Sequence, residues 1–315
     1  MNNHEYEVGL QKTDLDTPAL LVDLPVVERN IQKMADYCRS AGVALRPHAK
    51  IYKATPIFAW MQLRAGAIGI TVSKLSEAEV LASGGIQDIL IANQIVGSQK
   101  VRRLVNLAGH AHVIVAVDSL KNAEEISAMA KTRGTRVDVL VEVNIGNNRC
   151  GVEPFDTTLK FTEKLLQMPG IRFSGLMGYD GHLAFMKDLQ ERDRLSRQSY
   201  QILVDTSRCL EQAGIPVQIV SGGGSATYRS AALVEGITEL QAGTYIFNDS
   251  TYHDNGLGEF ECALSILATI ISRPDRPGAE DLAILDVGRK ALEVTYGFPE
   301  VKYPTGEIFS MPQEH

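Results

Sequence analysis

The sequence predicts an α/β protein: a TIM (β/α)8 barrel followed by a β-rich C-terminal domain that is incomplete. Three observations carry this reading. Strand-like and helix-like segments alternate about eight times between Ala19 and Gly224, which is the beat of repeated βα units. The strand-like runs are apolar almost throughout and rich in Val, Ile and Leu, as in a parallel sheet buried on both faces. No G-x-G-x-x-G follows the first run, and the repeat continues past six strands, which favours a barrel over an open doubly wound sheet.

The elements follow in order. Ala19-Leu20-Leu21-Val22-Asp23 is the first apolar run, and Val26 to Ala41 carries apolar residues at helical spacing (Val27, Ile31, Met34, Ala35, Cys38). Val43 to Pro47 precedes a helix over Pro56 to Ala65. Ile68 to Val72 leads to a helix opening with Ser76-Glu77-Ala78-Glu79, a variant of the capping box. Ile89 to Ala92 is followed by Gln99 to Leu107, Val113 to Val117 by Ala123 to Lys131, and Val137 to Val143 by Asp156 to Gln167. Phe173 to Gly178 precedes a long polar helix, Lys187 to Ala213, and Val217 to Val220 runs into Ser221-Gly222-Gly223-Gly224. The pattern then changes. Glu261 to Ser272 is β-rich, Asp275-Arg276-Pro277-Gly278 is a turn, Leu282 to Val287 is another strand, and Gly297, Pro299, Pro304 and Gly306 mark an irregular ending. The expected domains are a barrel over 18–258 and a second unit formed by 1–17 with 259–315. A sheet that small is marginal alone, so it docks on the barrel, pairs with another subunit or continues into something longer.

Composition narrows the function classes. The 315 residues are 44% hydrophobic and 22% charged, with a formal net charge of -7, which is ordinary for a soluble globular protein. No basic block is present, which argues against nucleic acid and anionic membranes as partners. A locally positive site for an anionic small molecule remains compatible with that charge. Cys38, Cys150, Cys209 and Cys262 are far apart and form no C-x-x-C, against a zinc ribbon or a disulfide framework and in keeping with a reducing compartment. Cys38 and Cys209 fall in helical segments as packing residues. Met1-Asn2-Asn3-His4-Glu5 has no signal-peptide pattern and no apolar run reaches the ~18 residues that span a bilayer. A cytoplasmic protein is expected.

The chemistry concentrates after the strands. Leu45-Arg46-Pro47-His48-Ala49-Lys50 places a lysine at the C-terminal end of a strand, where barrels collect ligands. A lysine there is costly unless neutral, paired or used covalently, as in Schiff-base chemistry; a solvated lysine is the alternative. Ser221-Gly222-Gly223-Gly224-Ser225-Ala226-Thr227-Tyr228 follows the eighth strand-like run, where glycines let backbone amides close around a phosphate. Arg149, after Val139 to Val143, can bind a phenolate or carboxylate oxygen. Tyr179 and His182, in Tyr179-Asp180-Gly181-His182, are a candidate cofactor contact and a candidate general base. Gln241 to Tyr245 with Asn248-Asp249 forms a further polar cluster, and surface or packing roles suit His110 and His112.

Thr17-Pro18-Ala19-Leu20-Leu21-Val22-Asp23, Arg46-Pro47-His48-Ala49-Lys50, Ser76-Glu77-Ala78-Glu79, Arg149-Cys150-Gly151-Val152 and the Gly222 to Tyr228 loop resemble the D-threonine aldolase / D-serine dehydratase family. That family is related to the N-terminal domain of alanine racemase and binds pyridoxal phosphate on a TIM barrel. The resemblance runs from about Thr17 to Tyr296, and its most specific part is Arg46 to Lys50. It implies that Lys50 carries the Schiff base and that His48 shapes the site beside it. Arg149 would contact the ring substituents, Tyr179 would lie near the ring nitrogen, and Gly222, Gly223, Gly224, Ser225 and Tyr228 would hold the phosphate. Ser221 is grouped with them. His182 would take the β-hydroxyl proton in a retro-aldol cleavage, giving glycine and an aldehyde. The resemblance implies a D-configured β-hydroxy amino acid as substrate, D-threonine first, with D-serine dehydration or 3-hydroxy-D-aspartate cleavage as alternatives. A racemase and a non-catalytic pyridoxal phosphate carrier are further alternatives, and a homodimer is expected. Two departures stand out. Ile51-Tyr52-Lys53 replaces the family's Thr-His-Lys. The family's divalent metal (Mn, Mg or Zn) is held by a His-x-Asp or His-x-Cys pair near its end, and no such pair precedes Pro312-Gln313-Glu314-His315. On that ground the chain reads either as truncated or as one whose metal-dependent step is missing or altered, with weak lyase activity expected.

Overall fold

The apolar strand runs are buried on both faces because they form the wall of a barrel. The computed structural model describes residues 8–288, 291–292, 299–302 and 308–310. Met1 to Glu5, Gly297, Pro304, Gly306 and Pro312 to His315 lie outside the described residues.

The chain opens with β1 (Ala19–Val22) and α1 (Leu24–Ala41). The Asp23 side chain accepts from the Val26 amide at 3.2 Å, which caps the helix. Gly42 closes α1 in the left-handed region at φ 69°, and Val27, Ile31, Met34 and Cys38 bury its inner face. Burial pushes the Cys38 thiol up to about 11, in keeping with a packing role. The βα units then run β2 (Ala44–Leu45), α2 (Pro56–Arg64), β3 (Ile70–Val72), α3 (Leu75–Ser83), β4 (Asp88–Ile91), α4 (Ser98–Leu107), β5 (His112–Val117) and α5 (Leu120–Thr132). They continue with β6 (Val137–Glu142), α6 (Asp156–Leu165), β7 (Ile171–Met177), α7 (Leu189–Gln212), β8 (Ile219–Gly222), α8 (Tyr228–Ala232) and β9 (Glu239–Leu240). Helix α3 starts one residue before the predicted Ser76. Glu77 reaches back to the amides of Ser73 and Lys74, at 2.9 and 3.1 Å.

Eight parallel strands lie in the order β2-β9-β8-β7-β6-β5-β4-β3. The ring closes between β2 and β3, where the Ile68 amide donates to Leu45 O and the Thr71 amide to Pro47 O, at 2.9 and 2.8 Å. Leu90, Ile114, Ala116, Leu140 and Met177 point inward and pack together inside the barrel. Their neighbours Ile89, Ile91, Val113, Val115, Val139 and Val141 point outward under the helices. This two-sided burial is why the strands read as continuous apolar runs.

One strand assignment is corrected. Ala19–Val22 is not in the barrel. It pairs antiparallel with β10 (Leu264–Leu267). The place in the ring goes to β9, two residues long and headed by Glu239, whose length and charge hide it from a search for apolar runs. The run from Glu261 to Ser272 is also two strands, β10 and β11 (Ile270–Ser272). β11 pairs with β12 (Ile284–Leu285), and β13 (Glu300–Lys302) pairs with β14 (Ile308–Ser310).

Where several strands begin, the barrel carries a chain of charges. The Arg46 guanidinium is nearly fully buried between Glu239 at 3.1 Å and Asp88. Asp88 accepts from His112 Nδ1 at 2.8 Å, His112 Nε2 contacts Asp138 at 2.9 Å, and Asp138 accepts from Arg172 Nε at 2.8 Å. The hydrogen bonds to Asp138 and Asp88 raise the His112 pKa to about 9. In the folded chain His112 therefore holds a proton that the unfolded chain releases near the ordinary value of 6.5. Its stabilisation is complete below about pH 6.5 and is lost as the pH rises through 9. Denaturant unfolding at pH 6 and pH 10 should show the wild type losing its advantage over His112→Gln across that window. A constant difference between the two proteins would contradict it.

Candidate active site

The strands' C-terminal ends surround a cavity of about 270 Å³, toward the small end of the range for small-molecule sites. Most of its lining comes from segments that follow strands: His48 and Lys50 after β2, Ser73 after β3, Arg149 and Cys150 after β6, Tyr179 after β7, and Gly224 and Ser225 after β8. Gln241, Gly243 and Thr244 follow β9, and Tyr252 comes from beyond it.

Lys50 sits on a single 3-10 turn, Ala49–Tyr52. The His48 side chain accepts from the Lys50 amide at 3.4 Å and starts the turn. Lys53 and Ala54 end it in the left-handed region, at φ 52° and 58°, a conformation that costs non-glycine residues free energy and recurs at functional sites. Solvent reaches Lys50 through the cavity, yet burial and the nearby Arg149 charge lower its amine pKa, against a smaller opposing pull from Glu77. The neutral, nucleophilic amine is thereby made more accessible. Burial and Lys50 drive the His48 pKa down to about 3, so His48 is a neutral acceptor rather than a proton source.

Tyr179 faces two cations, with Lys50 Nζ 5.8 Å and the Arg149 guanidinium 5.4 Å from its ring centre. Burial, with Tyr252 and Asp180 adding to it, raises the Tyr179 pKa to about 12, so its phenol keeps its proton. The glycine loop lies against this ring. Gly223 has φ 79°, and a Cβ there would fall 2.8 Å from Leu240 Cδ2. A Cβ at Gly224 would press on Tyr179 at 3.2 Å. The Ser225 hydroxyl accepts from the amides of Gly243 and Tyr245, at 3.1 and 3.2 Å. Both of its lone pairs are engaged, so what remains is a proton to donate.

The other expected residues are placed elsewhere. Ser221 is buried outside the cavity lining, donating to Glu239 Oε1 and accepting from Gln241 Nε2, each at 2.8 Å. Tyr228 donates to Glu259 at 2.8 Å and packs edge-on against Tyr37. His182 is exposed on the turn Gly181–Leu183, its ring beside Gly146 and outside the cavity lining. Tyr52, the departure from the family pattern, points into the core and donates to Gln62 at 2.8 Å. Ser73, Asn93, Met177 and Tyr252 line the cavity without having been singled out from the sequence. Inspecting the first residues after every strand would have found Ser73 and Asn93; Tyr252 follows no strand.

One group among the described residues, Asp118, Glu142 and Cys150, brings ligand atoms within 4.8 Å of one another. Its two carboxylates are already hydrogen-bonded. Asp118 accepts from the Gly151 amide at 3.0 Å and Glu142 from Gln94 at 2.6 Å. Burial, chiefly, raises the Cys150 thiol pKa, with Glu142 adding to it, so a cation held there would have to displace the thiol proton.

The alanine racemase N-terminal domain family matches residues 22–251. The chain belongs to that family. It is 38% identical to a D-threonine aldolase of Arthrobacter sp. over 290 residues, covering 91% of this chain and 75% of that protein. The crystal structure of D-threonine aldolase from Filomicrobium marinum superposes with a TM-score of 0.86 at 36% identity, over 93% of this chain and 78% of that one. D-threo-3-hydroxyaspartate dehydratase from Delftia sp. HT23 gives 0.82 at 30%, over 94% and 80%. Among the described residues no helix is long and apolar enough to cross a membrane.

The pocket chemistry fits pyridoxal phosphate as the family implies it. A lysine of lowered pKa faces an aromatic ring, and a glycine loop ends in a hydroxyl that can only donate, as a phosphate ester requires. Ser225→Ala should leave the amides of Gly243 and Tyr245 without their acceptor, at a cost of about 1–3 kcal/mol. Urea unfolding should show this as a lower midpoint with an unchanged slope, and an unchanged midpoint would show that the amides find another partner.

Proposed function

We propose that the chain is a pyridoxal-phosphate-dependent lyase that cleaves a D-configured β-hydroxy amino acid, D-threonine in the first instance, to glycine and an aldehyde. The observation that carries this is Lys50, with its lowered pKa, in a cavity walled by Tyr179, Arg149 and the Gly224-Ser225 cradle. The kinship with D-threonine aldolases supports the reaction class. When bound, the cofactor supplies an electron sink for the negative charge left on Cα as the Cα–Cβ bond breaks.

The chain's own residues do the rest. Lys50 would provide the amine that holds the cofactor, and its lowered pKa suits it to serve as a base in the cavity when that amine is free. His48, held neutral, fixes the backbone of the lysine turn. Arg149 offers a cation for a carboxylate or phenolate oxygen. Ser225, its oxygen engaged by two amides, would donate its hydroxyl proton to the phosphate. The family resemblance assigns the β-hydroxyl proton, whose removal drives cleavage, to His182, although its ring lies beside Gly146 outside the cavity lining. The dehydratase relatives support a second reading on the same site, loss of the β-hydroxyl to give a 2-oxo acid and ammonia.

The test starts with the absorbance spectrum of the chain with pyridoxal phosphate. A protonated-imine band near the visible edge should appear, vanish with borohydride and be missing from Lys50→Ala. No band, or the same band without Lys50, would overturn the cofactor assignment. D-Threonine should then yield glycine and acetaldehyde; 2-oxobutanoate and ammonia would favour dehydration, and L-allothreonine, the epimer at Cα, a racemase. His182→Gln should keep the band and slow acetaldehyde release by roughly 10²-fold or more. Full turnover in that variant would remove His182 from the mechanism.

A further inference from the structure

Consecutive residues after β7 serve opposite sides of the chain. Tyr179 lines the cavity, whereas Asp180 is 1% exposed and lies outside its lining. Among the described residues Asp180 takes part in no ion pair. Three hydroxyls hold it instead: Ser196 donates to Oδ2 at 2.7 Å, and Tyr200 and Thr227 donate to Oδ1 at 2.8 and 3.0 Å. The buried Arg192 acts on Asp180 at longer range, and a buried carboxylate with no cation in direct contact is expensive, so the three hydroxyls call for a reason beyond packing.

The reason lies one bond further on. Tyr200 is fully buried, and burial together with the Asp180 charge raises its pKa far above the ordinary value. Its proton is committed to Asp180, and its oxygen accepts the Gly223 amide at 2.7 Å. Carboxylate thus sets hydroxyl, and hydroxyl sets amide. Thr227 ties the same carboxylate to the far end of the loop, where its own amide donates to Gly224 O at 3.1 Å. Asp180 therefore grips the glycine loop at both ends while its neighbour Tyr179 presses on Gly224 from the cavity side.

We propose that Asp180 and Tyr200 are positioning residues for the cofactor's phosphate. They hold the Gly223 amide turned into the protein, and so keep Gly224 and Ser225 in the shape that receives the ester. This rests on the pyridoxal phosphate reading, and it ties the phosphate cradle to the strand end that carries Tyr179.

The test compares pyridoxal phosphate with pyridoxal, which lacks only the phosphate, by absorbance titration of the 315-residue chain. Tyr200→Phe removes the acceptor of the Gly223 amide and should weaken pyridoxal phosphate about tenfold, while pyridoxal changes by less than about twofold. Asp180→Asn, which keeps the side chain's size, should move the ratio of the two affinities the same way; it carries the test alone if Tyr200→Phe does not fold. Ser196→Ala takes a partner from the other carboxylate oxygen and should lower the unfolding midpoint without moving the ratio. Equal weakening of both ligands, no weakening of either, or an equal ratio change in Ser196→Ala would overturn the proposal. If the wild type forms no Lys50 imine with either ligand, the cofactor reading fails instead.

Discussion

The site depends on the buried contact between Arg46 and Glu239. The strands that meet there, β2 and β9, are two residues long and share two residue pairs, and the amides of Ala44, Arg46 and His48 carry the pairing on to Thr238, Leu240 and Ala242. The guanidinium spans it, held by Glu239 on one side and Asp88 on the other. Gly69 leaves the room it needs, since a Cβ there would collide with the guanidinium. Such a pair is not a large net source of stability, because desolvating both charges offsets their attraction. Removing one partner is what costs, since the other stays buried and unpaired. The pair ties β2 to β9 beside their backbone pairing, and two residues beyond Arg46 the chain delivers His48 and then Lys50 into the cavity.

The same barrel separates its charges along the strands. Near several strand starts acids and bases alternate and neutralise one another through Glu239, Arg46, Asp88, His112, Asp138 and Arg172. At the cavity, Lys50 and Arg149 face Tyr179, and Glu142 is 3.9 Å behind Arg149. After burial, the Arg149 charge is the next cause of the lowered Lys50 pKa. A chain with a net charge of -7 can thus present a site suited to an anionic ligand, because local geometry outweighs the distant, screened charges.

The sequence made the barrel legible through two-sided burial, and the lysine turn and glycine loop through their position after strands. It misled where pattern and pairing part company. Ala19–Val22 has the composition of a barrel strand but pairs with Leu264–Leu267, since composition does not encode which edge a strand meets. Glu239–Leu240 lacks the apolar signal because its glutamate is used by Arg46. Ser221 and Tyr228 look like phosphate ligands in a linear reading, yet their hydroxyls are spent on Glu239 and Glu259. Whether a hydroxyl near a glycine loop faces a ligand depends on which acceptors the fold brings to it. Tyr252 was illegible for the opposite reason, entering the cavity wall from a segment that follows no barrel strand.

The three consecutive glycines show how much a motif can conceal. Gly222 has no side chain because the Tyr200 ring and Gly178 O occupy that space. Gly223 adopts a left-handed backbone and leaves room for Leu240, and Gly224 leaves room for Tyr179. Each position is glycine for a different neighbour, so the loop is clamped rather than loose. A clamped loop pays its ordering entropy at folding instead of at ligand binding. That places Tyr200, which touches Gly222 through its ring and Gly223 through its hydroxyl, at the centre of the cradle although it never meets the cavity. Its two contacts explain why the run needs glycine at both positions: the first admits the ring, and the second turns its amide to the oxygen that Asp180 has already oriented.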